Sequence, residues 1–73
     1  GYVPKYPQVT VFTDAEMSTI KKLYVDAKYK GNHNVILKLT KRLATVMEVT
    51  PDERPIVFVD KVLKDYNYYT QQM

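Results

Sequence analysis

Cysteine and tryptophan are absent from this 73-residue chain, glycine occurs only at 1 and 31, and serine and histidine occur once each, as Ser18 and His33. Without cysteine there is no disulfide, no thiolate metal site and no thiol nucleophile, a composition that suits an intracellular, cytoplasmic or nuclear setting. Two isolated glycines cannot build a phosphate-cradling loop. A Ser-His-Asp arrangement would have to use both Ser18 and His33, one on the first turns of a helix and the other in a later turn, so that chemistry is not expected. His33, flanked by Asn32 and Asn34, reads as a solvated or capping residue. No His/Cys set exists for zinc, and Asp52-Glu53 with Asp60 lacks the alternating acids and glycine of a calcium loop, so neither a metal nor a cofactor is expected. Asp14 and Glu16 suit the positive end of a helix better than acid/base work. These gaps together argue against an enzyme.

Long hydrophobic runs are missing too. The longest, Ile56 to Val59, falls far short of the roughly 20 residues of a membrane-spanning helix, and no membrane partner is expected. A chain of this length makes one domain, burying about 60% of its unfolded surface.

What is present is mostly helical periodicity. Pro4 and Pro7 hold residues 1–12 extended, as an arm, with Val9 to Phe12 able to pair as a short strand. Thr13-Asp14-Ala15-Glu16 is a capping box, and Phe12 with Met17 is a hydrophobic staple across it, so the first helix starts here. Its apolar stripe is Met17, Ile20, Leu23, Tyr24 and Ala27, and Gly31 is the expected left-handed stop. A second helix over 35–49 turns Val35, Ile36, Leu39, Leu43, Val46 and Met47 inward, with Pro51 ending it. Thr50-Pro51-Asp52-Glu53 repeats the capping pattern, but Pro55 follows closely, so either a short turn fills 51–54 or the third helix begins at Pro55. There Ile56, Val59, Val62, Leu63 and Tyr66 keep the helical period, with Asp60/Lys64 and Lys61/Asp65 spaced as i, i+4 ion pairs. The expected fold is an all-α three-helix bundle: arm 1–12, helical domain 13–67 and frayed tail 68–73. The alternative is an α+β fold with a short strand at 9–12 or 56–59.

The helix-turn-helix pattern is matched in part, by Ala27, Gly31 and Leu37. Thr40 stands where that pattern prefers an apolar residue, and Val35-Ile36-Leu37 opens the second helix in place of polar base-reading side chains.

Charge carries the functional signal. The window 21–42 holds seven of the eleven basic residues against Asp26 alone, a formal +6, while the rest of the chain sums to −3. Asp26 can pair with Lys22 and Lys30, which leaves Lys21, Lys28, Lys38, Lys41 and Arg42 as a basic patch suited to nucleic-acid phosphates. The alternative partner is a protein. Val25 and Tyr29 lie i, i+4 away from the core stripe and are either an interface or covered by the Tyr2/Tyr6 arm. Tyr68 and Tyr69 admit the same two roles, docking segment or core flap.

Overall fold

The capping box forms. In the computed structural model, which describes residues 1–71, the Glu16 N–H donates to Thr13 Oγ1 (3.1 Å) and the Thr13 N–H donates to Glu16 Oε1 (2.9 Å). Helix α1 runs Asp14–Lys30 from this cap, and the staple residues Phe12 and Met17 are both buried. Gly31 ends it with φ 67°, and the Asn32 N–H donates back to the Ala27 carbonyl (2.8 Å).

Helix α2, His33–Met47, begins two residues earlier than the periodicity suggested, because Asn32 Oδ1 accepts from the Val35 N–H (3.4 Å) and so caps the helix itself. It also stops earlier, and not at Pro51. Glu48 takes the left-handed conformation (φ 57°), and the Val49 N–H donates to the Ala44 carbonyl (3.0 Å), which lets Val49 pack against the core. Helix α3 is Pro55–Thr70, with Pro55 at its first position, where the missing N–H costs nothing. Thus 51–54 is a connection and 56–59 is helical. The possible strand at 9–12 is replaced by a 3-10 helix, Pro7–Val11, with the Thr10 hydroxyl donating to the Pro7 carbonyl (3.0 Å). Among the described residues there is no strand, and the fold is a three-helix bundle. Of the expected frayed tail, residues 68–70 belong to α3 and Gln71 is its C-cap, while residues 72–73 lie outside the described residues.

The core draws on every segment: Met17, Tyr24 and Ala27 from α1, Ile36, Leu39, Leu43 and Met47 from α2, and Phe58, Val59, Val62 and Tyr66 from α3. Tyr6, Val9 and Phe12 complete it. The arm is therefore part of the core, and burying a side chain such as Val9 contributes about 1.5–3 kcal/mol. Two expected core residues stay outside, Leu23 at 48% and Val46 at 40% exposure, so the buried stripes of α1 and α2 are narrower than the periodicity suggests.

Asp65 ties the arm down. Its carboxylate is fully buried and accepts from the Tyr2 hydroxyl, the Lys5 N–H (2.9 Å) and the Tyr6 N–H (2.7 Å). Three donors on two oxygens replace the hydration that burial removes. Lys61 does not pair with Asp65, four residues on. Its ammonium donates to the Val3 carbonyl (2.7 Å) and stands 4.3 Å from the Tyr2 ring centre. Farther along, Lys5 bridges Asp52 (2.8 Å) and Glu53 (3.0 Å), and the Tyr6 hydroxyl donates to Glu53 (2.7 Å) while its ring meets Phe58 edge-on. Asp60 likewise leaves Lys64 and accepts from the Tyr24 hydroxyl (2.9 Å), which also donates to the Ile56 carbonyl (3.1 Å).

Candidate functional site

The structure divides the five basic candidates. Lys38, Lys41 and Arg42 stay together on the outer face of α2, all three exposed, within about 100° of arc. Arg42 sits at the edge of that face, over a groove between α1 and α2 shared with Glu16, Thr19, Ile20 and Val46. Lys21 and Lys28 lie on the other side of α1, in the groove toward α3 with Asp60, Leu63 and Lys64. Lys28 is partly committed there, 4.0 Å from Asp60 and 5.1 Å from the Tyr24 ring centre.

The carboxylates explain why the α2 face matters. Asp14 accepts from the Tyr66 hydroxyl, Glu16 from Thr13, Asp60 from Tyr24 and Asp65 from the arm. Asp26 pairs with Lys30 (3.3 Å), and Asp52 and Glu53 pair with Lys5. Glu48 alone of the eight acidic side chains has no partner among the described residues. Lys38, Lys41 and Arg42, by contrast, have no carboxylate within ion-pairing distance among those residues. Negative charge is consumed inside the molecule and positive charge is left facing out.

These local bonds shift titration in consistent directions. Hydrogen bonds from the Thr13 backbone and side chain hold the Glu16 carboxyl below its ordinary range, with a smaller contribution from Arg42. The hydrogen bond from Lys5 lowers Asp52. Burial works against ionisation of Glu53, but hydrogen bonds from Tyr6 and Lys5 outweigh it and the carboxyl is lowered. Burial, then the bond to Glu53, pushes the Tyr6 phenol up to about 12. Burial and Asp60 likewise raise Tyr24, so it serves as a neutral donor.

Val25 and Tyr29 are open, at 55% and 91% exposure. The arm does not cover them, because Tyr2 and Tyr6 are committed to Asp65 and Phe58 of α3. They line a shallow depression along α1 with Ser18, Lys21, Lys22 and Asp26. Tyr68 and Tyr69 are half-buried: Tyr68 lies 6.1 Å from the Tyr2 ring, Tyr69 meets it edge-on at 5.3 Å, and Tyr69 packs against the core. Their rings thus form a flap over the arm seam.

One surface was not visible in the sequence. A cleft of about 450 Å³ opens between the first turns of α2 and α3, lined by His33, Ile36, Leu37, Arg54, Pro55, Ile56 and Val57. His33 belongs to this cleft and Ser18 to grooves along α1, so the two do not share a site. No group of three His, Cys, Asp or Glu side chains able to hold a metal ion is found among the described residues, and no helix among them is long and apolar enough to cross a membrane.

A family model described as "Domain of unknown function (DUF8484)" matches residues 1–73. Comparison with curated proteins and with solved structures finds no match.

Proposed function

We propose that this chain, which belongs to the family described as Domain of unknown function (DUF8484), is a non-catalytic helical module that binds nucleic-acid backbone through Lys38, Lys41 and Arg42. The reading rests on one observation: these three cations cluster on one exposed helix face with no carboxylate partner among the described residues, while almost every carboxylate has one. Desolvating a cation already paired inside the chain would break that pair, whereas an unpaired cation exchanges counterions for phosphates. Lys21 and Lys28, on the other side of α1 in the groove toward α3, add to the long-range field and not to direct contact with this face. Because the face is built mainly of Lys38, Lys41, Arg42 and Thr45, with Asn34 the one amide side chain on it, binding is directed mostly at phosphates and weakly selective for sequence. Such a partner goes with a cytoplasmic or nuclear location.

The experiment is affinity for generic duplex DNA and single-stranded RNA across a salt series. Three phosphate contacts give a log–log slope near −2.7 on duplex DNA, about 40-fold weaker binding for a fourfold rise in salt. Lys38→Glu with Lys41→Glu should abolish binding, and equal binding by that double variant would sink the reading.

A second reading, a protein partner on α1, is favoured by the 91% exposure of Tyr29 beside Val25. There Tyr29→Ala removes association and leaves the melting temperature alone, since an exposed anchor contributes to the interface and not to the core.

A further inference from the structure

We infer that the cleft between the first turns of α2 and α3 is a docking site for a short apolar segment of a partner protein that carries carboxylates beside its apolar anchors. Ile36 and Leu37 form one wall, Pro55, Ile56 and Val57 the other, and His33 and Arg54 stand at the rim. The volume, about 450 Å³, is that of an ordinary ligand site, and Leu37 and Val57 remain 47% and 52% exposed on its walls. Unlike the depression around Val25 and Tyr29, which runs along one helix, this is a trough between two, and can take side chains inserted at helical or extended spacing.

The sign of the partner's charge follows from what surrounds the trough. No carboxylate lines it, and Arg54 has no ion pair among the described residues. Neither α2 nor α3 carries an acid in its first turn, and no side chain caps the N-terminus of α3, where Arg54 occupies the cap position. The contrast with α1 is direct, since there Asp14 and Glu16 already occupy the first turn. The acids nearest this end of α3, Asp52 and Glu53, are taken by Lys5, so Arg54 and the first turns of the two helices leave the cleft mouth with a net positive field among the described residues. Apart from His33 and Arg54 at the rim, the lining is aliphatic, which suits apolar side chains better than stacked bases.

The test selects a displayed library of random peptides on the intact 73-residue chain, then measures the synthesised consensus by titration and amide chemical shifts. We expect a consensus with apolar anchors next to Asp or Glu, with shifts centred on Ile36, Leu37 and Val57. Val57→Glu should cost at least about tenfold in affinity, as should Arg54→Glu. Val57→Glu places an acid in the first turn of α3, where it favours the helix, so loss of binding would not reflect loss of fold. The Lys38→Glu, Lys41→Glu protein should keep its peptide affinity within about threefold, which separates this site from the α2 face. Selection of basic or purely polar peptides, selection of none, undiminished binding by Val57→Glu, or shifts centred on Val25 and Tyr29 would each overturn the assignment.

Discussion

The seam between the arm and α3 and the outer face of α2 both carry several charges, and they use them in opposite ways. At the seam every charged group finishes on a partner from a distant part of the chain: Asp65 on the backbone of Lys5 and Tyr6, Lys61 on Val3, Lys5 on Asp52 and Glu53. On α2, Lys38 and Lys41 have no ion-pair partner among the described residues. Charge at the seam specifies the fold, and charge on α2 is free for another molecule. Burial accounts for Asp65, which must be satisfied internally. Lys5 and Asp52 are exposed at the seam and Lys61 partly so, and they pair because the docked arm brings them together; an exposed cation such as Lys38 is satisfied by water until a partner replaces it.

The strongest way to break the comparison is at Asp65. Asp65→Ala removes the acceptor for two backbone N–H groups and the Tyr2 hydroxyl, and should cost about 3 kcal/mol, lowering the melting temperature by about 12 °C or more in a domain of this size. A smaller loss, under about 1 kcal/mol by denaturant titration, would show that packing alone holds the arm.

Acid should act on the same seam. Asp52 and Glu53 are lowered in the folded chain, so the unfolded chain takes up protons first as pH falls. The stability they contribute is present above the ordinary carboxylate range and is lost as pH drops through their folded values. Melting temperature should therefore hold from neutrality to about pH 5 and fall below it, and Lys5→Ala should flatten that fall. At the other extreme, Tyr6 is pushed up to about 12, so its contribution is intact below about pH 10 and is lost as pH rises through its folded value. The smallest effect belongs to α2: Lys38→Glu with Lys41→Glu should move stability by no more than about 0.5 kcal/mol. A clear loss in thermal melting would mean that these cations also belong to the fold.

How much of this was legible in the sequence depends on distance along the chain. Thr13-Asp14-Ala15-Glu16 and Gly31 are local signals, and each gave the helix boundary that the structure has. Glu48 is the counter-case. Nothing about a glutamate announces a left-handed residue, so the end of α2 was placed too late. Lys61/Asp65 and Asp60/Lys64 have ideal i, i+4 spacing, yet Asp60, Lys61 and Asp65 all chose partners at least 32 residues away. That Val25 and Tyr29 lie off the core stripe is readable from the helical period alone, but whether the arm covers them is not, and the apolar cleft, which joins residues 33–37 to 54–57, exists only once α2 and α3 pack.

The bonds that hold the arm have a kinetic meaning as well. Those from Tyr2, Val3, Lys5 and Tyr6 to α3 span sequence separations of 58 to 63 residues, nearly the whole chain. The first of them to form bears the entropy of closing that loop, and the rest then follow at little further entropic expense. The α1–α2 hairpin, joined by a two-residue turn, closes no such loop. Folding should thus run from the hairpin outward, with the arm latching as one cooperative unit, and the Lys5 and Tyr6 amide protons serve as the clock for that final step.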